Sequence, residues 1–204
     1  MKIIVLTVGQ LATNCYLLIS KKTKKVIIID PGDEANYIAE QIIKEKLRPK
    51  MIILTHGHFD HLLGAGEIQQ IFHLPLAINY QDLFLLENSL KSAGYWLKQK
   101  IVFLPPKPTL NLGEKATINF DNFKIKIIKT PGHTPGSICL YQEKEKIIFT
   151  GDTLFFKGVG RTDFSYSNQK ALKNSLAKLK KLLPATIYPG HGNWGFYNPS
   201  RASL

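Results

Sequence analysis

The chain has 204 residues, 44% of them hydrophobic, which is enough for one sizeable core or for two half-domains that share one. Lys and Arg outnumber Asp and Glu by 27 to 15, and the formal charge of +12 could attract nucleic acid, an anionic membrane surface or small anionic substrates. The lysines are scattered and no apolar stretch approaches the roughly 20 residues of a membrane span, so we expect neither a nucleic-acid nor a membrane partner.

The first half of the chain predicts an opening meander followed by alternating helices and strands. The predicted strands are short, β-branched and bounded by turn formers, and they fall at 2–8, 15–20, 26–30, 50–55 and 74–79. Apolar residues at helical spacing predict helices at 33–46, 64–74 and 81–97. The segment from 81 to 103 could form a lid or an interface, and the sequence does not choose between them.

A similar order recurs after the proline-rich break at 104–113. Strands are predicted at 116–119, 123–129, 138–142, 146–150 and 186–188, with a helix at 168–183. The recurrence predicts an α/β protein, a four-layer αββα sandwich whose sheets meet face to face. We expect a single domain over residues 1–204, made of two pseudo-duplicated halves at about 1–113 and 114–204.

The two cysteines, Cys15 and Cys139, lie inside apolar strand-like runs and lack the spacing of thiol metal sites. We expect buried free thiols, which suit a reducing compartment. The N-terminal apolar run has no small-x-small cleavage site and continues into a second strand. The sequence therefore predicts a cytoplasmic protein.

Four glycine-containing stretches at the ends of predicted strands hold five of the six histidines. They are THGHFDH (55–61), TPGHTPGS (130–137), TGDT (150–153) and YPGHG (188–192). Glycine lets the backbone turn sharply and approach a bound ion. His73 lies in a helix-like segment away from these turns and is expected to be structural.

Together the stretches offer seven imidazole and carboxylate ligands: His56, His58, Asp60, His61, His133, Asp152 and His191. Such ligands suit zinc, iron or manganese. Seven are too many for one tetrahedral zinc, and they match two ions that share one carboxylate. Two divalent ions, two aspartates and a hydroxide sum to a formal +1, which would favour an anionic transition state.

The segment HGHFDH (56–61), together with IDPGD (29–33) and PGHG (189–192), resembles the metallo-β-lactamase superfamily over nearly the whole chain. The resemblance implies two divalent metal ions, with zinc favoured over iron or manganese. It also implies that one metal is held by His56, His58 and His133, that the other is held by Asp60, His61 and His191, and that Asp152 bridges them. Asp30 matches a carboxylate that lies close to the metal site in the superfamily.

Two ions roughly 3.5 to 4 Å apart can lower the pKa of a bridging water and polarise a carbonyl or phosphoryl oxygen. Asp60 is the candidate that orients this nucleophile and passes its proton to the leaving group, so Asp60 and the bridging Asp152 are the predicted catalytic residues. On these grounds alone an ester, thioester, amide or phosphodiester could be the substrate.

The stretch FFKGVGRTDF (155–164) follows Asp152 and resembles the corresponding stretch of glyoxalase II-type hydroxyacylglutathione hydrolases and their short relatives. The resemblance implies that Arg161 holds a carboxylate of glutathione, a role that suits its bidentate guanidinium. The implied substrate is a small anionic thioester such as S-lactoylglutathione. Alternatively, Arg161 braces a loop through backbone carbonyls.

Two departures from the long enzymes bear on the substrate site. Only 13 residues follow His191, which leaves no room for the helical C-terminal domain that completes their glutathione site. Asp163 and Asn193 stand where those enzymes present tyrosines; we place Asn193 in the substrate site, with the aromatic residues Tyr166, Trp194 and Tyr197 as substitutes for the missing rings.

Two other functions are open. The motif GVGRTD (158–163) also resembles the corresponding motif of persulfide dioxygenases. In those enzymes a single iron is held by the residues that match His56, His133 and Asp152. A non-catalytic metal-binding protein on the same fold is the second alternative, although every ligand position is filled. A nuclease is less favoured because the chain has no room for the extra domain that covers the metals in such enzymes. A β-lactamase is less favoured because the sequence shows no export signal.

Overall fold

The computed structural model describes residues 1–199, and its first sheet is formed by the β-branched runs of the N-terminal part. The strands, in sheet order, are β1 (Lys2–Val8), β2 (Thr13–Ile19), β3 (Lys25–Ile29), β4 (Arg48–Ile53), β5 (Leu76–Ile78) and β6 (Leu110–Asn111). The first three pair antiparallel, and β3 to β6 run parallel. The helices between the strands are α1 (Ala35–Lys44), α2 (Ala65–Phe72), α3 (Leu83–Glu87) and α4 (Ser89–Leu97).

The second sheet is formed by later strands. In chain order its members are β7 (Thr117–Phe120), β8 (Phe123–Lys129), β9 (Ile138–Gln142), β10 (Ile147–Gly151), β13 (Ala185–Pro189) and β14 (Gly195–Tyr197). All neighbours pair antiparallel except β10 and β13, which are parallel and are connected through helix α5 (Gln169–Lys180). A small hairpin of β11 (Leu154–Phe155) and β12 (Gly158–Val159) follows β10.

Strand β3 shows how the layers form, because successive side chains on a strand point to opposite faces. Ile27 and Ile29 enter the core between the two sheets, whereas Val26 and Ile28 enter a second core under α1 and α2. On the other side, Leu179 of α5 packs with outward-facing residues of the second sheet. Helix, sheet, sheet and helix are thus stacked in that order, and the predicted αββα sandwich is confirmed.

Three aromatic rings join the two sheets. Tyr16 on β2 packs against Phe149 on β10 and Tyr188 on β13, with ring centroids 5.2 and 5.4 Å away. Phe149 and Tyr188 stack at 5.2 Å. The Tyr16 hydroxyl donates a hydrogen bond of 2.5 Å to the carbonyl of Pro189, two residues before His191. This aromatic triad therefore fixes the separation of the sheets close to the histidine-bearing loops.

The structure differs from the sequence prediction in several elements. The single helix predicted over 81–97 is wrong: the chain breaks at Asn88, whose backbone leaves the helical region and whose side-chain amide donates to the Phe84 carbonyl. Strands β6, β11, β12 and β14, each of two or three residues, were not predicted because they are too short to show a period.

The structure also shows the state of the two cysteines and the length and apolarity of the helices. Cys15 and Cys139 are buried and unpaired, as predicted. Within residues 1–199, none of the helices combines the length and apolarity that a membrane crossing requires.

Candidate metal centre

The histidine-bearing loops meet at one edge of the sandwich because they leave the ends of neighbouring strands. His56, His58, Asp60 and His61 follow the parallel strand β4, and Asp152 and His191 follow the parallel pair β10 and β13. The loop between β8 and β9 supplies His133. We call these seven residues the histidine–aspartate cluster. The structure brings all seven predicted ligands together, with contributions from both sheets.

Three groups of ligand atoms are close enough to hold an ion: His56, His58 and His133; Asp60, His61 and His191; and His56, His61 and Asp152, which overlaps the other two. In the first, Nδ1 of His58 is 3.1 Å from Nε2 of His56 and 3.0 Å from Nε2 of His133. In the second, Nε2 of His191 is 3.2 Å from Oδ2 of Asp60 and 3.3 Å from Nε2 of His61. The atoms of each group lie within 4.8 Å of one another, as ligands of one ion require.

Asp152 lies between the first two of these groups. Its Oδ1 is 3.5 Å from Nε2 of His61, and its Oδ2 is 3.6 Å from Nε2 of His133 and 3.7 Å from Nε2 of His191. Oδ1 is buried and has no hydrogen-bond partner among the described residues. A buried carboxylate oxygen without a donor is costly unless a cation satisfies it, so this atom fits a metal ligand.

Each histidine has one ring nitrogen that faces the cluster and one that faces away from it. An oxygen atom that contacts the nitrogen facing away orients the ring. Nδ1 of His133 lies 2.9 Å from the Arg161 carbonyl, and Nδ1 of His191 lies 3.0 Å from the Leu11 carbonyl. A carbonyl can only accept, so each of these Nδ1 atoms carries a ring proton, and in the neutral form of each ring the lone pair is on Nε2, which faces the cluster. That tautomer is the one that binds a metal through Nε2.

Side chains orient the other three rings. Nδ1 of His61 lies 3.1 Å from Oδ2 of Asp30, and Nδ1 of His56 lies 3.1 Å from the Thr55 hydroxyl, which itself donates to Asp30. Nε2 of His58 lies 2.9 Å from the Tyr166 hydroxyl. Asp30 is 1% exposed, and its position beside the cluster agrees with the expectation from the sequence.

The charges of the cluster depend on its burial. Burial and the neighbouring imidazoles lower the pKa of His56 well below its usual range and the pKa of His58 to about 3. Burial also opposes the charged form of His61, but Asp60, Asp152 and Asp30 outweigh it and raise the pKa of His61 to about 10. A metal that binds His61 must therefore displace a proton, which makes metal binding weaker at low pH.

Asp82 braces the loops, and the sequence analysis did not identify it. This fully buried carboxylate accepts hydrogen bonds from the Gly57 amide at 2.9 Å, the Gly136 amide at 2.6 Å and the Thr134 hydroxyl at 2.7 Å. Gly57 separates His56 from His58, and Thr134 follows His133, so one side chain ties together two ligand-bearing loops. Its place just after the parallel strand β5, at the loop-bearing edge, was the available indication.

A pocket of about 300 Å³ opens beside the cluster. Besides His58, Asp60, His133 and Asp152, its lining is largely apolar and aromatic and includes Leu11, Phe59, Leu85, Trp96, Phe164 and Tyr166. Arg161 also lines it, with its guanidinium 4.6 Å from the ring centre of Phe164 and 5.5 Å from that of Trp96. Helix α4 therefore contributes to the wall of the pocket through Trp96.

Arg161 already holds a carboxylate of this chain. Its Nε donates a 2.6 Å hydrogen bond to Oδ1 of Asp163, and its Nη2 donates a 2.6 Å hydrogen bond to Oδ2 of the same carboxylate. Both side chains are more than half exposed, so the pair is weakly held and another carboxylate could displace Asp163. The pairing of Arg161 with Asp163 was not predicted.

Residues 192–199 are not among those that line this pocket. Asn193 is exposed and is not among the residues lining the 300 Å³ pocket, so its role in substrate binding stays a prediction. Trp194 stacks on Tyr188 at 5.2 Å, and Tyr197 is buried against Phe156. Of the three aromatic substitutes considered from the sequence, Tyr166 is the one that reaches this pocket.

Comparisons with known proteins agree with this geometry. Residues 8–191 match the family model described as the metallo-beta-lactamase superfamily. The chain is 36% identical to the hydroxyacylglutathione hydrolase GloC of Haemophilus influenzae, over 95% of this chain and 92% of that protein. Among solved structures, BLEG-1 B3 metallo-beta-lactamase superposes with a TM-score of 0.88 at 27% identity, covering 99% of this chain and 100% of the other. The di-iron-bound form of TTHA1623 superposes with a TM-score of 0.84 at 29% identity, covering 97% and 99%. The chain belongs to the metallo-β-lactamase superfamily.

Proposed function

We propose that this protein is a dinuclear zinc hydrolase that cleaves a thioester of glutathione or a related thiol, such as S-lactoylglutathione. The observation that carries the proposal is the pair of three-ligand groups on either side of Asp152, whose Oδ1 lacks a donor. Structural zinc sites are closed by four ligands of their own, whereas here two groups share one carboxylate and border an open pocket that can admit water and substrate.

The proposed reaction gives each residue of the cluster a role. His56, His58 and His133 would hold one ion, Asp60, His61 and His191 the other, and Asp152 both. When bound, two divalent ions supply a hydroxide nucleophile at neutral pH and polarise the substrate carbonyl. Asp60 and Asp152 are the proposed catalytic residues: Asp152 keeps the two ligand groups in register, and Asp60 orients the nucleophile and carries its proton to the leaving thiolate.

The substrate proposal rests on the pocket and on similarity to the Haemophilus enzyme. Arg161 offers a guanidinium at the pocket wall, where a substrate carboxylate could replace Asp163. The pocket volume of about 300 Å³ suits a small molecule. We therefore propose a small anionic, glutathione-derived partner, with Arg161 and Asn193 as the substrate-binding residues, and a cytoplasmic protein, since buried free cysteines suit a reducing compartment.

Metal analysis with paired activity assays tests the proposal. We expect close to two zinc ions per chain and turnover of S-lactoylglutathione. Asp60→Asn should lower kcat by about 100-fold or more, since a positioned general base contributes that much. His73→Ala replaces an exposed histidine outside the cluster and should leave kcat unchanged. This pair separates loss of the site from general effects of mutation.

Two outcomes would favour the alternatives. One iron per chain, with oxygen consumed in the presence of glutathione persulfide and no hydrolysis, would support a mononuclear dioxygenase that uses His56, His133 and Asp152. Tight metal binding without either reaction would support a non-catalytic metal-binding protein. Either result would reject thioester hydrolysis.

A further inference from the structure

Tyr166 forms the part of the pocket wall that lies against His58. Its ring stacks on Phe164, with centroids 5.3 Å apart and an interplanar angle of 14°. Phe84 packs edge-on against it at 5.4 Å. These two ring contacts hold the phenol in place. The position of its hydroxyl is therefore fixed by packing before a substrate binds.

The hydrogen bond to His58 determines what the hydroxyl can still do. Nδ1 of His58 is the nitrogen that converges with His56 and His133, and Nε2 is the nitrogen 2.9 Å from the Tyr166 oxygen. If Nδ1 presents its lone pair to an ion, as the proposed function requires, Nε2 carries the ring proton and donates it to Tyr166. Tyr166 is then the acceptor, and its own proton is not used in this bond.

The partners of the other four histidines differ in this respect. Two of them are backbone carbonyls and one is the Asp30 carboxylate, none of which has a proton to give. The fourth is the Thr55 hydroxyl, which donates its proton to Asp30 at 2.7 Å. Of the five partners, Tyr166 is the one that lines the pocket and whose hydroxyl proton has no acceptor within residues 1–199 in this arrangement.

We propose that Tyr166 contacts the substrate: its hydroxyl donates a hydrogen bond to an oxygen or sulfur atom of the bound thioester while it accepts one from His58. This inference rests on the proposed function and deepens it by adding a substrate-binding residue. The resulting chain of hydrogen bonds, from substrate to Tyr166 to His58, links occupation of the pocket to the orientation of a metal ligand.

Tyr166→Phe removes the hydroxyl and keeps the ring, and Tyr37→Phe is the matched control on the exposed part of α1. Both variants are measured as full-length, zinc-loaded protein with S-lactoylglutathione. We expect kcat/KM of Tyr166→Phe to fall about threefold to tenfold, mostly through KM, as the loss of one neutral hydrogen bond predicts. Zinc per chain and the melting temperature should match the wild type, and Tyr37→Phe should be unchanged in all respects.

Three results would overturn the inference, and they are distinguishable. Wild-type protein that does not turn over the thioester would reject the proposed function and the role of Tyr166 with it. An active wild type with an unchanged Tyr166→Phe variant would reject the role of Tyr166 alone. A loss of activity that follows zinc content and returns with added zinc would show that Tyr166 only supports His58.

Discussion

Asp82 provides the sharpest test of how the ligand loops are held, since it lies outside the histidine–aspartate cluster. Asp82→Asn keeps the size of the side chain but turns one acceptor oxygen into an NH2 group. The amide oxygen can still serve Gly57 and Thr134, whereas the new NH2 group faces the Gly136 amide, which is also a donor. We expect a stable but weakened fold and looser metal binding.

The size of the effect follows from the number of donors left without an acceptor. A buried donor that loses its partner costs about 1–3 kcal/mol. Burial raises the pKa of Asp82 despite its three hydrogen bonds, so a neutral amide recovers part of this cost. We therefore expect Asp82→Asn to lower the free energy of unfolding by about 2 kcal/mol, and Asp82→Ala, which strands all three donors, by about 4 kcal/mol.

Urea unfolding and thermal melting of the zinc-free protein measure these changes. For a chain of this size, 2 kcal/mol corresponds to a fall in Tm of about 4–8 °C. Zinc titration should also show weaker binding in both variants, because two ligand loops lose their common anchor. Glu87→Gln, at an exposed acid on neighbouring α3, is the control. An Asp82→Asn variant with wild-type stability and zinc affinity would refute the reasoning.

Three further predictions follow from the structure. Cys15 and Cys139 should not react with dithiobis(nitrobenzoate) at pH 8 until the protein is unfolded, because burial raises both pKa values, that of Cys139 to about 11; rapid labelling of the native protein would contradict this. Asp163→Asn should free Arg161 and lower KM for S-lactoylglutathione about twofold to threefold, whereas Arg161→Ala should raise KM. Steady-state kinetics measure both changes, and an unchanged KM in both variants would show that Arg161 is only structural. Gly160→Ala should reduce zinc per chain, because the added Cβ would lie 1.9 Å from the backbone oxygen of Asp152; full zinc retention would show that this loop adjusts freely.

The layers and the metal ligands could be predicted because their patterns are local. A strand such as β3 has β-branched residues on both faces, and four of the five histidines of the cluster stand beside a glycine in a loop that follows a strand. Parallel strands place these ends at one edge, so short motifs far apart in the chain could be assigned to one site. The resemblance of HGHFDH (56–61) to a known family then supplied the grouping of the ligands.

The contacts that complete the site could not be predicted, since they depend on distances across the fold. Asp82 contacts Gly136, 54 positions away, and His58 contacts Tyr166, 108 positions away. The position of Asp82 after β5, and the choice of Tyr166 as a substitute ring for the substrate site, indicate neither of these contacts. Similarly, the motif containing Arg161 indicates anion binding, but the occupant of its guanidinium, Asp163, emerges only from the folded loop.

The aromatic triad affects the candidate site as well as the stability of the core. Tyr16 belongs to the sheet that supplies four of the seven ligands, and Phe149 and Tyr188 belong to the sheet whose loops supply the other three. The size of these three rings therefore sets the distance between the two sets of ligand-bearing loops. With a smaller hydrophobic residue at position 16, we expect a folded protein in which the two sets of loops no longer keep their spacing.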